Sequence, residues 1–107
     1  MRRTFFVYIL TNQTNNVLYT GVTNNLERRT FEHILKINKR GFAERYNCNK
    51  LVFFEDTPSV SAAIEKEKQI KGMTRYRKIK LIESKNPNWD NLFGYQVDEI
   101  LPGSRNK

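Results

Sequence analysis

Two short β-type segments near the start of the chain, joined by a polar stretch, constrain the fold more than any other feature of the sequence. Residues 5–10 form a six-residue apolar run that is rich in β-formers. The turn-like residues 11–16 follow, and residues 17–20 form a second short strand that runs into Gly21. A polar link of about six residues suits an antiparallel hairpin. The sequence therefore predicts that the first two strands pair.

Side-chain alternation brings two tyrosines together in this hairpin. Because successive side chains of a strand point to opposite faces, Phe6, Tyr8 and Leu10 share one face of the first strand. Val17 and Tyr19 share one face of the second. We expect Tyr8 and Tyr19 to be neighbours. On pattern alone they are packing residues, since tyrosines in short strands are normally half-buried.

A helix and a third strand follow the hairpin. Asn24 is a candidate N-cap, and apolar residues recur at helical spacing from residue 25 to about residue 39. After a basic loop, residues 51–54 form an apolar strand that we expect to stop at Glu55 and Asp56.

Two more helices close the pattern. Pro58 suits the first turn of a helix over residues 59–71, and Gly72 lies just past its end. The last helix covers residues 74–85 and is ended by Asn86 and the proline after it.

The order strand, strand, helix, strand, helix, helix predicts a small α+β domain, with a three-stranded, mainly antiparallel sheet flanked by three helices. A chain of 107 residues is enough for one compact domain. We expect this domain to cover residues 1–95, with Trp89, Leu92, Phe93 and Tyr95 able to dock on it. Residues 96–107 are expected to be a partly disordered tail.

The charge balance favours a polyanionic partner. Nineteen Lys and Arg residues against eleven Asp and Glu give a formal net charge of +8. One cysteine and one histidine exclude a disulfide within the chain and a Cys/His zinc site. No apolar stretch approaches the roughly 20 residues that cross a bilayer. We expect a cytoplasmic protein without a membrane partner.

Three polar side chains interrupt apolar helix faces. Arg29 and His33 lie on the stripe of the first helix, and Glu67 lies within the stripe of the second. An ionised group on such a face costs several kcal/mol unless it is paired, bound to metal or left at a wet edge. A structural ion pair between Arg29 and Glu67 and a functional site are both open interpretations, and a hydrogen-bonded histidine at the edge is the simpler account of His33.

The basic surface is concentrated in residues 66–80, which contain seven Lys and Arg residues and a single acidic residue, Glu67. Such a block can follow a phosphate backbone, although a solvated face that keeps the protein soluble is the alternative. The predicted nucleic-acid-binding residues are Lys66, Lys68, Lys71, Arg75, Arg77, Lys78 and Lys80.

Taken in order, these segments resemble the GIY-YIG nuclease superfamily, specifically its small single-domain bacterial members, and are similar to the N-terminal nuclease domain of an excision-repair endonuclease. Residues 7–10 look like the first motif of the family, with Val-Tyr-Ile in place of Gly-Ile-Tyr. Residues 19–23 look like the second, with Tyr-Thr-Gly in place of Tyr-Ile-Gly. Residues 25–29 and 62–71 are similar to the segments that supply the arginine and the glutamate of the family.

The resemblance implies a metal-dependent DNA endonuclease, in DNA repair or recombination. Arg29 would contact the scissile phosphate, and Glu67 would hold one Mg²⁺ or Mn²⁺. One of Tyr8 and Tyr19 would help to take the proton from the attacking water, although a free tyrosine has a pKa near 10. His33 would orient a tyrosine or act as an alternative base.

Two further positions follow from the same resemblance. Gly21 would let the chain turn tightly into the first helix. Asn88 or Asp90 lies near the place of a late asparagine that several relatives carry near their site.

The chief alternative function is a nucleic-acid-binding module of the same fold that cuts little on its own or needs a partner. A basic adaptor for an acidic protein surface is a third interpretation. DNA is the expected partner, with RNA kept as an alternative. Because one active site cuts one strand at a time, cleavage of both strands needs a homodimer, another protein partner or two successive events.

Overall fold

The computed structural model describes residues 4–35, residue 41 and residues 45–92, with the backbone alone at residues 30, 31 and 33–35. In this part of the chain the order of elements is strand, strand, helix, strand, helix, helix, as the sequence predicts. The elements are β1 (Phe5–Thr11), β2 (Leu18–Thr23), α1 (Leu26–Leu35), β3 (Lys50–Thr57), α2 (Val60–Lys71) and α3 (Arg75–Lys85).

The sheet is antiparallel throughout, in the order β2-β1-β3. The central strand β1 is covered on both faces, which is why it reads as an unbroken apolar run rather than as an alternating one. Val7 and Ile9 are fully buried on one face, and Tyr8 and Leu10 are 1% exposed on the other. In the described residues, β2 and β3 are the outer strands, and each pairs with β1.

The helices divide between the two faces of the sheet. On one face the start of α1 packs through Leu26 against Tyr8 and Leu10. On the other face α2 and α3 supply Ala63, Ile70 and Ile82 to a second apolar cluster. The predicted α+β architecture is confirmed. No helix among the described residues is long and apolar enough to cross a membrane.

Two strand boundaries differ from the predictions. The strand β2 continues through Gly21 and pairs with β1 as far as Thr23, so the expected tight turn at Gly21 is wrong. The strand β3 continues past Glu55 and Asp56 to Thr57. The two acidic residues do not end it because β3 lies at the edge of the sheet, where outward-facing charges stay in water.

Each of the helices α1, α2 and α3 begins with a side-chain cap. The side-chain oxygens of Asn25, Ser59 and Thr74 each accept a hydrogen bond from the backbone N–H three residues later, at 3.0, 3.2 and 3.2 Å. The cap of α1 is therefore Asn25, and the prediction of Asn24 is wrong by one residue. Pro58 precedes the cap of α2 instead of lying in its first turn, because Ser59 takes the capping position.

The segment after α3 returns to the sheet. Trp89 packs against the α2–α3 side of the core and Leu92 against the α1 side, as predicted. The backbone N–H of Leu92 donates to the carbonyl of Leu51 at 2.8 Å. Phe93, Tyr95, the predicted tail from residue 96 and the predicted end of the first helix near residue 39 lie outside the described residues.

A buried asparagine holds this segment in place. Asn86, 5% exposed, caps the end of α3, and its Nδ2 donates to the carbonyls of Val52 and Asp90 at 3.0 and 2.9 Å. Its Oδ1 accepts from the backbone N–H of Asp90 at 3.0 Å. One side chain thus ties α3, β3 and the returning loop together.

Replacing Asn86 by alanine is expected to lower the free energy of unfolding by about 2–4 kcal/mol, because buried carbonyls lose their donor. Urea denaturation measures the change. The exposed Asn88 is the matched control, and Asn88→Ala should stay within about 0.5 kcal/mol of the parent. Equal losses in the two variants would contradict the role of Asn86.

Candidate active site

The hydroxyl end of Tyr8 lies directly over Gly21. The two residues face each other across β1 and β2, and a Cβ added at Gly21 would lie 2.5 Å from the hydroxyl oxygen and 2.6 Å from Cζ of Tyr8. The backbone of Gly21 is not in the left-handed region. A glycine is therefore needed at this position to leave space for the ring of Tyr8, and not for conformational freedom.

Tyr19 lies beside Tyr8, as the alternation predicts. Tyr19 pairs with Leu10, two residues along β1, which makes the two tyrosines diagonal neighbours on one face. Their ring centroids are 6.2 Å apart and the rings are tilted by 45°. Tyr8 is 1% exposed, whereas Tyr19 is half-buried. Only Tyr19 of the pair has an appreciable surface towards solvent.

Arg29 reaches this pair from α1. Its guanidinium hydrogen-bonds to the hydroxyl of Tyr8, and its charge interacts with Tyr19. The Nη1 atom also donates to Oε1 of Glu32 at 3.1 Å, and the side chain stays 34% exposed. The sequence patterns did not single out Glu32, although its position three residues after Arg29 on one helix was a usable signal.

Burial and charge set the protonation of both groups. Desolvation by burial raises the pKa of Tyr8 well above its usual value, and this outweighs the hydrogen bond and charge of Arg29, which lower it. Desolvation lowers the pKa of Arg29. The contacts with Tyr8 and Glu32 raise this pKa and together outweigh the desolvation, so the pKa lies above its usual value. At neutral pH, Tyr8 is therefore a neutral phenol and Arg29 a cation.

Glu67 lies on α2, between the buried Ala63 and Ile70. Its side chain is 21% exposed, and its Oε2 lies 3.0 Å from Nζ of Lys71. The ion pairs of Glu67 and of Arg29 are thus each made within one helix. The proposed structural pair between Arg29 and Glu67 is wrong, because a closer partner lies one turn away from each.

Lys71 and Tyr19 line a common pocket of about 320 Å³. It lies beside the edge strand β2 and is lined by Leu18, Tyr19, Thr20, Lys71 and Lys78. Lys71 contacts Glu67 and lines the same pocket as Tyr19. The structure therefore brings Tyr8, Tyr19 and Arg29 into one cluster, whereas Glu67 contacts Lys71, which lines a pocket with Tyr19.

The basic block over residues 66–80 is not one uniform surface. Lys68 and Arg77 are exposed, and Lys78 lines the pocket. Four others contact groups of the protein itself. These contacts are Lys66 with Glu55 at 3.8 Å, Lys71 with Glu67 at 3.0 Å, Arg75 with the carbonyl of Asn15 at 3.0 Å, and Lys80 over the ring of Tyr76 at 5.4 Å.

The remaining predicted positions are His33, Asn88 and Asp90. His33 lies in α1, but its side chain is outside the described part of the structure. Asn88 and Asp90 are exposed in the loop after α3. The buried asparagine of this segment is Asn86, whose side chain hydrogen-bonds to the backbone of the returning chain and of β3.

Gly21→Ala is expected to destabilise the protein by about 1–3 kcal/mol, because the rigid ring of Tyr8 has to move away from the new Cβ. Gly72→Ala is the matched control, since a Cβ there would meet nothing closer than 3.5 Å. Chemical denaturation measures both changes. Full stability of Gly21→Ala would show that the close approach of Tyr8 is not required.

The raised pKa of Tyr8 predicts a loss of stability at alkaline pH. Above about pH 10 the unfolded tyrosine loses its proton while the buried one keeps it, so stability falls by up to about 1.4 kcal/mol per pH unit. Urea denaturation between about pH 9 and 11 should show a flatter decline for Tyr8→Phe. Tyr76→Phe, at a side chain 67% exposed, should follow the parent. Parallel curves for all three proteins would refute the assignment.

Comparison with known proteins shows the family of this domain. The sequence model of the GIY-YIG catalytic domain matches residues 4–80, which include the two tyrosines, Arg29 and Glu67. A UPF0213 protein from Clostridium perfringens is 38% identical over 90 residues, covering 80% of this chain and 90% of that protein. A UPF0213 protein from Syntrophus aciditrophicus is 38% identical over 86 residues, covering 77% and 92%.

A solved structure shows the same fold. The solution NMR structure of a UPF0213 protein from Bacillus halodurans superposes with a TM-score of 0.54 at 26% identity, covering 82% of this chain and 92% of the other. The family model and the curated relatives each span most of the described domain. The chain belongs to the GIY-YIG catalytic domain family, and its relatives include small UPF0213 proteins.

Proposed function

We propose that the protein is a metal-dependent endonuclease that hydrolyses phosphodiester bonds of DNA. The observation that carries this proposal is the position of Arg29, a partly exposed cation held against a buried tyrosine and beside a second, more accessible one. Membership of the GIY-YIG catalytic domain family supports the same activity. Each side chain then has a separate task.

Arg29 would bind the scissile phosphate. Its guanidinium stays charged at any physiological pH and presents several donors in a plane, which suits the charge that grows on a phosphate during hydrolysis. The hydrogen bonds to Tyr8 and Glu32 use part of the guanidinium and hold its orientation. The exposed part remains for the substrate.

The two tyrosines would divide their roles. Tyr8 is buried and its raised pKa keeps it protonated, so we assign it the positioning of Arg29. Tyr19 has the exposed surface that contact with a water molecule requires. We therefore assign Tyr19 the contact with the attacking water, beside the positive charge of Arg29. His33 remains a proposed alternative base.

Glu67 would hold the divalent ion, Mg²⁺ or Mn²⁺. The described residues contain no cluster of three or more His, Cys, Asp or Glu side chains. That fits an ion that keeps most of its waters and takes one or two protein carboxylates together with substrate oxygens. The partly exposed carboxylate of Glu67 meets this requirement. When bound, the ion would stabilise the negative charge on the leaving oxygen.

We propose DNA as the substrate class, with nicked and branched forms as the first to test, because these arise in repair and recombination. The support is the charge of +8 and the exposed cations Lys68 and Arg77 on the two helices beside the site. RNA versions of the same nicked and branched substrates are the matched probes for RNA cleavage.

Arg29→Ala and Glu67→Gln are each expected to lower cleavage of supercoiled plasmid and branched DNA by at least about 100-fold in Mg²⁺ or Mn²⁺. The reason is that one removes a cation from the phosphate and the other removes the ligand of the ion. A gel assay with purified protein measures the rates, and circular dichroism checks that the fold is retained.

Two neighbouring residues are matched controls for this experiment. Arg28 also contacts Glu32, at 3.8 Å, but is 65% exposed, and Glu65 is an exposed acid on the helix of Glu67. Arg28→Ala and Glu65→Gln should cut like the parent. Metal-dependent cutting that survives in both Arg29→Ala and Glu67→Gln would overturn the proposal. Salt-sensitive DNA binding without any cutting would favour the nucleic-acid-binding module.

A further inference from the structure

The pocket beside β2 is a second place where the protein can hold an anion. Its cations, Lys71 and Lys78, come from α2 and α3 and converge on one volume of about 320 Å³. This lies within the range of about 300–1,000 Å³ that ligand pockets occupy. None of the described lining residues is acidic. Two ammonium groups, one of them shared with Glu67, and no acidic residue among the described lining residues favour a phosphate group.

The pocket adjoins the candidate active site because Tyr19 belongs to both. The ring of Tyr19 lies 6.2 Å from that of Tyr8, which is bonded to Arg29, and Tyr19 also lines the pocket. A DNA strand whose scissile phosphate is bound by Arg29 would reach the pocket if it continues past Tyr19 over the edge strand β2. The two lysines suit a neighbouring phosphate of the same strand, since a lysine binds phosphate as a point charge without demanding a fixed plane.

Lys71 has two alternative partners at this position. Its ammonium lies 3.0 Å from Glu67, yet its side chain is 57% exposed and lines the pocket. An exposed ion pair within one helix is weak. A phosphate in the pocket competes with the carboxylate for the same ammonium group. Withdrawal of Lys71 would leave the carboxylate of Glu67 with both oxygens available to a divalent ion.

We propose that the pocket binds the phosphate next to the one that is cut, and that Lys71 exchanges Glu67 for this phosphate when DNA binds. The proposal rests on the proposed nuclease function and adds a coupling to it. Binding of DNA and binding of the metal ion at Glu67 become mutually favourable, and the protein without DNA holds the ion weakly. The coupling is reciprocal, since each ligand must raise the affinity for the other by the same factor.

The phosphate contact is tested by DNA binding in EDTA, where no cleavage interferes. Lys78→Gln should weaken binding of a labelled duplex and lower the slope of log affinity against log salt by about one, the value expected for one lost phosphate contact. Lys85→Gln removes the same charge from α3, two turns away, where Lys85 lies 5.3 Å over the ring of Phe53. The slope of this control should equal that of the parent.

The exchange is tested by paramagnetic broadening of amide NMR signals around Glu67 with Mn²⁺. Without DNA, Lys71→Gln should bind Mn²⁺ several-fold more tightly than the parent, because the competing ammonium is gone. A short non-cleaved phosphorothioate strand should tighten Mn²⁺ binding in the parent and have a much smaller effect in Lys71→Gln. Glu67→Gln should lose the broadening.

The outcomes separate this inference from the proposed function. An unchanged salt slope in Lys78→Gln, or equal Mn²⁺ affinity of the parent and Lys71→Gln, would overturn the inference even if the protein cuts DNA. A protein that does not cut DNA but loses one phosphate contact in Lys78→Gln would overturn the nuclease function and leave the phosphate pocket standing. Inorganic phosphate is the competitor that separates a DNA site from a site for free phosphate. If it displaces the DNA strand only at concentrations far above that of DNA phosphate, the result supports a DNA site in the pocket.

Discussion

The contact of the Tyr8 hydroxyl with Gly21 and Arg29 is the constraint on which the site depends. Tyr8 is a core residue of the central strand, and its ring runs across the neighbouring strand only because Gly21 has no side chain there. The hydroxyl at the end of that ring then meets the guanidinium of Arg29. Burial keeps the phenol neutral, so the contact is a hydrogen bond to a cation and not an ion pair. A packing residue thereby sets the position of a charged one.

The rest of the site divides along the two faces of the sheet. The tyrosine pair and Arg29 belong to the face covered by α1, whereas Glu67 and Lys71 belong to α2, which packs on the other face. The edge strand β2 is where the two groups approach each other, since Tyr19 and Lys71 line one pocket there. Charges that interrupt apolar stripes are tolerated because each has a partner one turn away, at 3.1 and 3.0 Å.

Much of the fold was predictable because its signals are local. The continuous apolar run of β1, the start of the last helix near Thr74 and its end at Asn86 each depend on a few neighbouring residues. Predictions failed where contacts with residues distant in sequence determine the local structure. The acidic end of β3 remains a strand because β1 offers hydrogen-bond partners there, and Gly21 lies inside a strand because the glycine is needed by Tyr8 and not by the backbone. Periodicity cannot report a contact between residues that are distant in sequence.

The candidate site shows the same division. The sequence by itself determined which side chains are unusual, namely two tyrosines at diagonal positions and two charges on apolar helix faces, because alternation and helical spacing follow from covalent geometry. Only the tertiary structure decided that Arg29 meets Tyr8 rather than Glu67, and that Lys71 contacts Glu67 and lines a pocket with Tyr19. These contacts are set by how the helices cross the sheet and by which groups are desolvated, and both depend on the packing of the whole domain.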